Sequence, residues 1–100
     1  DSSRAQIRML GRMDGKDPRA LLAAADAPGA SLEDQLAGAD AAVALGDMNV
    51  ALGRGLEAVR SHNGEEREAA RLRLLELFDI IGSSAPEVAR ARRQLASILY

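Results

Sequence analysis

Arg71 to Gly82, RLRLLELFDIIG, is the densest apolar run of the chain and contains Phe78, one of its two aromatic residues. Traced back to Glu65, the run sets Ala70, Leu74, Leu77, Phe78 and Ile81 at i, i+4, i+7, i+8 and i+11 on one helical stripe. Leu72, Leu75 and Ile80 widen that stripe, which predicts neighbours on two sides. A helix over about Glu65 to Ile81, with Gly82 as its C′ residue, is therefore expected at the centre of the core. Val50 to Val59 before it and Val88 to Leu99 after it repeat the helical spacing, and polar or Gly/Pro punctuation separates all three. They are its expected partners.

Working outward, Glu65, Glu66 and Glu68 fill the first turn of this fifth helix, where carboxylates meet the positive end of the dipole. Beyond Gly82, Ser83-Ser84-Ala85-Pro86 restarts the chain. Val88, Ala91, Leu95, Ile98 and Leu99 then form the seam of a last helix, with Arg90, Arg92, Arg93 and Gln94 largely outside it. On the other side, Met48 to about Ser61 reads as a fourth helix that packs through Val50, Ala51, Leu52, Leu56 and Val59. Gly53 and Gly55 lie inside it, each costing about 1 kcal/mol relative to Ala, which predicts either a closely approaching neighbour or a helix that frays. Ser31 and Asp34 make a capping pair for a third helix to about Leu45, with Leu32, Leu36, Ala39 and Val43 inward and Gly46-Asp47 closing it. Asp17 and Pro18 start a second helix, to about Ala27, that Pro28-Gly29 ends. Ser3 is expected to cap a first, solvated helix with Ile7, Leu10 and Met13 as its narrow apolar seam and Arg4, Arg8 and Arg12 on another face; Asp14-Gly15-Lys16 breaks it.

Composition agrees with this all-α reading. Twenty residues are Ala, the best helix former, strand formers are scarce, and no stretch alternates with period two. One hundred residues make a single domain, 1–100, with a modest core. Thirteen basic and 15 acidic residues leave a net charge of −2, which argues against a nucleic-acid footprint, although 12 of the 13 bases are Arg. There is no cysteine, so disulfide, thiol redox and thiolate metal chemistry are excluded within these residues. The apolar runs fall far short of the ~20 residues of a membrane span. A soluble, cytoplasmic protein is expected. Because the chain starts at Asp1 without Met, it is expected to be excised from something longer.

Catalytic patterns are missing. His62 is the sole histidine and sits in an expected turn, where a metal site would need three or four ligands. No Ser/His/Asp order, GxSxG or phosphate-binding loop occurs. The reading is that this is not an enzyme and has no cofactor. Arg67, Arg71 and Arg73 with Arg90, Arg92 and Arg93 could form one basic face, but interleaved acidic residues and the lack of stacking aromatics favour a solvated face over a nucleic-acid site. Leu95, Ile98, Leu99 and Tyr100 either cap the core or leave an apolar strip for a partner, and both readings stay open.

Gly15…Ala20…Ala27 recurs 31 residues on as Gly46…Ala51…Ala58, and Gly82 follows 36 residues after Gly46. A tight Gly turn followed by small residues that let two helices approach is the physics of a tetratricopeptide-type hairpin. On this pattern alone, degenerate hairpins of that type and a generic helical bundle remain open. The expected architecture is about six antiparallel helices, arranged as a right-handed α-solenoid fragment or a compact bundle.

Gly46-Asp47, Ala51, Val59-Arg60, Ala70-Arg71, Leu74-Leu75-Glu76-Leu77-Phe78, Gly82, Pro86-Glu87-Val88 and Arg93-Gln94-Leu95-Ala96 through Leu99-Tyr100 resemble the C-terminal helical region of the thioredoxin-domain co-chaperones, or chaperedoxins. The resemblance covers Gly46 to Tyr100 well and Gln6 to Asp40 loosely. It departs at Gly55, where that family usually has a large apolar residue. The resemblance implies a thioredoxin fold preceding these helices in the parent protein, with protein clients or a chaperonin as partners. It further implies that the last helix, Pro86 to Tyr100, docks the chaperonin, with Val88, Arg90, Arg92, Arg93, Leu95, Leu99 and Tyr100 as candidate partner-binding residues. The alternative is a structural or homo-oligomerising helical domain that orients a missing N-terminal domain. Neither reading has a nucleic acid or a membrane as partner.

Overall fold

The computed structural model describes residues 2–100, with side chains from residue 3. Among them six α-helices follow in order: α1 (Ser2–Met13), α2 (Pro18–Asp26), α3 (Leu32–Ala44), α4 (Met48–Arg60), α5 (Gly64–Ile81) and α6 (Pro86–Leu99). Their starts follow local chemistry. The Asp17 carboxylate accepts from the Arg19 N–H at 3.1 Å, ahead of Pro18 at the first helical position. Ser31 and Asp34 form a complete capping box, and Asp47 accepts from Val50 N–H at 3.3 Å. Between α3 and α4, Gly46 turns left-handed at φ 83°, and the Gly46 and Asp47 N–H groups bond back to the Val43 and Ala42 carbonyls at 2.9 and 2.8 Å. This Schellman closure leaves Asp47 free to cap α4 at once.

The core runs through α3, α4, α5 and α6. Phe78, Leu74, Leu77, Val59 and Val88 are its largest fully buried apolar side chains. Successive helices α2 to α5 pack pairwise, α6 leans chiefly on α4, and α1 crosses back onto α5 and α3. That return closes the chain on itself: the radius of gyration is 12.5 Å, against about 13 Å for a compact 100-residue domain. The hairpins thus form a compact bundle, not an open solenoid fragment.

Two glycines mark close approaches. A Cβ on Gly55 would stand 2.8 Å from Leu74 Cδ1, so the α5 leucine fills the space on α4 where a large side chain was expected. A Cβ on Gly38 would lie 2.5 Å from that of Ala25, so α2 and α3 touch through their smallest residues. Gly53, by contrast, meets nothing within 4 Å.

Several expectations are corrected. Ser3 lies inside α1 and is not its cap. Ile7 and Leu10 are 68% and 63% exposed, while Ala5 and Met9 are buried, with Met13 half-buried beside them. The seam of α1 is therefore rotated from the expected one, because the helix is oriented by Arg12, which turns inward instead of facing solvent. Val50 on α4 and Leu72 on α5 are likewise exposed, so both apolar stripes are narrower than the sequence implies. The two sides of α5 are met by α4 and by α1 with α3; α6 reaches it through side chains such as Arg92 over Phe78. The Ala positions of the repeat also differ: Ala51 and Ala58 are fully buried, Ala20 and Ala27 are exposed. The first repeat retains the Gly turn without its packing.

Candidate protein-interaction surfaces

Helix α6 is anchored on one side and exposed on the other. Val88, Ala91 and Leu95 face the core, with Ile98 and Leu99 half-buried at its margin. Of the expected partner-binding residues, Val88 and Leu95 are thus internal: they hold the helix and do not present a surface. Arg90, Arg92, Arg93 and Tyr100 face outward, Tyr100 being 99% exposed. The Arg92 guanidinium sits 4.9 Å from the centroid of the Phe78 ring, an attraction between cation and ring quadrupole that fixes the long side chain along the core edge. Between α5 and α6 lies a shallow opening of about 220 Å³, with Leu75 and Leu99 on its floor and Arg71 and Arg92 on its rim.

The six arginines of the last two helices do not form one basic face. Arg67 donates to the His62 carbonyl at 3.0 Å, Arg71 pairs with Glu68, and Arg73 turns to Asp40. Only the α6 arginines remain outward. His62 lies in the turn after α4, its Nδ1 2.8 Å from the Ala58 carbonyl, so this nitrogen carries the proton and serves the helix end. Glu65 and Glu66 occupy the first turn of α5. Among the described residues no group of three or more His, Cys, Asp or Glu side chains is arranged to hold a metal.

A second site was not foreseen. Asp40 on α3 is 2% exposed and receives Arg12 at both oxygens, 2.9 and 3.0 Å, and Arg73 at 2.8 Å. Arg12 also reaches Glu76 of α5 at 3.0 Å, and Arg8 approaches the same carboxylate at 3.6 Å. Burial alone would lower the Arg12 pKa, but the hydrogen bonds and charges of Asp40 and Glu76 outweigh it and raise the value. For Arg73 burial dominates and, with the neighbouring Arg12 charge, lowers the value despite Asp40. The cluster opens onto a cleft of about 480 Å³ that also touches Leu21, Leu32 and Lys16. Its charges are spent on one another, so its evident work is to clasp α1 to α3 and α5. The one available signal was a carboxylate, Asp40, in the Ala-rich inward run Ala39 to Val43.

No helix among the described residues is long and apolar enough to cross a membrane. The Tetratricopeptide repeat family model matches residues 11–100. The chain is 38% identical over 95 residues to Uncharacterized protein Rv1324 and Uncharacterized protein MT1366 of Mycobacterium tuberculosis and to Uncharacterized protein Mb1359 of Mycobacterium bovis. Those matches cover 95% of this chain and 31% of each relative, so the chain spans about a third of the length of the curated relatives it matches. No solved structure matches it significantly. Tetratricopeptide repeats are typically non-catalytic and mediate protein–protein interaction. With hairpin helices joined at Gly-initiated turns and a family match over nine-tenths of its length, the chain belongs to the tetratricopeptide repeat family.

Proposed function

We propose that this chain is the protein-interaction module of a cytoplasmic co-chaperone, and that it helps to hold unfolded clients or docks to a chaperonin through the outer face of α6. The observation that carries the reading is the two-sidedness of α6. Val88, Ala91 and Leu95 fix the helix to the core while Arg90, Arg92, Arg93 and Tyr100 project from it. A surface whose inner side is rigid loses little entropy on binding. The resemblance of Gly46 to Tyr100 to chaperedoxins supplies the partner class, and the greater length of the relatives leaves room for the thioredoxin fold that the resemblance implies.

The test measures suppression of aggregation of a chemically denatured client and direct binding to a chaperonin. Charge reversal at Arg90, Arg92 and Arg93 should reduce at least one of the two by about ten-fold while helicity is unchanged. If neither activity exists, or neither responds, the co-chaperone reading is wrong.

A second reading, a structural or oligomerising domain, draws on Ile7 and Leu10, the exposed apolar pair of α1. Sedimentation as a monomer at all concentrations would count against its oligomerising form.

A further inference from the structure

We infer that the segment received by the opening between α5 and α6 is an acidic amphipathic helix of a partner protein, its apolar row on Leu75 and Leu99 and its carboxylates on Arg71 and Arg92. The inference rests on the reading of α6 as the docking element and names the chemistry of what docks. Because α6 leans on α4, α5 and α6 part on the opposite side and expose this opening, with Phe78 and Leu95 behind its floor. Arg71, Arg92 and Tyr100 are its polar lining, and no Asp or Glu side chain lines it. Arg92 makes no ion pair with any described residue and is held over Phe78, so its charge borders the apolar floor directly. Arg71 is engaged through Nε and Nη2 with Glu68 one turn away on the same helix, which leaves its Nη1 edge for an incoming carboxylate and makes Arg92 the main free charge of the rim. Arg90 and Arg93, exposed on α6, add positive charge around the site and would steer an acidic segment toward it.

A second copy offering the exposed pair Ile7 and Leu10 of α1 is the other occupant the experiment must distinguish, since the neighbouring Arg8 is engaged with Glu76. Asp79, exposed one turn beyond Leu75 on α5, repels carboxylates at that end and directs them toward Arg71 and Arg92. An acidic helix with a single apolar row satisfies floor and rim together.

The experiment titrates the full chain with two labelled helical peptides built on one Leu/Ala row, one with Glu at the flanking positions and the other with Lys, and reads fluorescence anisotropy at low ionic strength. The Glu peptide should bind and weaken with added salt, whereas the Lys peptide should not bind. Arg92→Gln combined with Arg71→Gln should weaken the Glu peptide about ten-fold, and Arg90→Gln less than about two-fold. Circular dichroism on each variant verifies folding, and Leu75→Glu, at a half-buried site, gives an independent block of the floor. Equal binding of the two peptides, no binding of the Glu peptide, or insensitivity to both the double variant and Leu75→Glu overturns the inference. So does sedimentation showing that a second copy fills the opening. If the Glu peptide fails while client or chaperonin binding still depends on α6, this inference falls and the functional reading stands; if the Glu peptide binds as stated while those activities ignore α6, the functional reading falls.

Discussion

The two flanks of α5 are joined to the molecule by different means. Toward α4 and α6 its buried Leu74, Leu77 and Phe78 share one apolar cluster with Leu56, Val59, Val88 and Leu95, edged by Arg92 over Phe78 and without an ion pair. Toward α1 and α3 the apolar cluster continues through Met9, Leu36, Ala39 and Val43, but here α5 also offers Arg73 and Glu76 to Asp40 and Arg12, so that ion pairs are added to the apolar contact. Apolar burial gains free energy in proportion to area and tolerates small displacements. A buried charge must keep its partners, because one left alone is strongly unfavourable. The apolar flank is therefore expected to set the stability of the domain, and the ionic flank to decide where α1 lies.

The sharpest test of the apolar flank is Phe78→Ala, which removes a 1%-exposed ring and the surface on which Arg92 rests. It should cost about 3–5 kcal/mol in urea unfolding, a large share of a total near 5–15 kcal/mol. A loss below about 1 kcal/mol would mean the flank is not the core. On the ionic side, Asp40→Ala leaves Arg12 and Arg73 adjacent without their shared carboxylate. Its expected cost is about 3 kcal/mol, with hydrogen exchange quickening first in α1 while the α4–α5 amides stay protected. Uniform quickening across all helices would show that the two flanks do not differ. Gly38→Ala, which sets two Cβ atoms 2.5 Å apart between α2 and α3, should cost about 2 kcal/mol as overpacking, seen as a lower melting temperature. Leu72→Ser, at a 54%-exposed position, should change stability by less than about 0.5 kcal/mol, in contrast to Leu74 two residues on.

The smallest expected effect is in acid. The Asp26 and Glu68 pKa values are lowered, first by hydrogen bonds from Arg54 and Arg71 and then by the charges of those arginines. A lowered folded value gives stability that is present above the unfolded pKa and lost as pH falls through the folded one. Melting temperature should thus decline slightly below about pH 4, and Asp26→Asn should flatten part of that decline. Both groups are solvent-exposed, so the slope is shallow.

How much of this was legible in the sequence follows the same division. Helices α2 to α6 could be placed within a residue or two, because Asp17-Pro18, Ser31…Asp34, Gly46-Asp47 and Pro86 act locally at helix ends. The stripe from Ala70 to Phe78 was also legible, since burial follows period. The rotation of α1 was not. Ile7, Leu10 and Met13 are as well spaced as Ala5, Met9 and Met13, and the choice between them is made by Arg12 meeting Asp40, 28 residues on, and Glu76, 64 residues on. Local pattern carries no information about such pairing. For the same reason the withdrawal of Arg73 by Asp40, 33 residues away, was not legible, whereas the pairing of Arg71 with Glu68, three residues apart, follows from the acidic residues interleaved on α5. On α6 the spacing of Val88, Ala91 and Leu95 did identify the anchored side, and so which residues are left outward.

In the proposed function α6 binds its partner through that outward side. The most direct measurement of that binding is calorimetric titration of a chaperonin with the chain and with its Arg90→Glu, Arg92→Glu, Arg93→Glu variant, the fold of each verified by circular dichroism. The chain should bind measurably, and the variant at least about ten-fold more weakly at unchanged helicity. Equal binding by the two, or no binding by either, would contradict the proposed function.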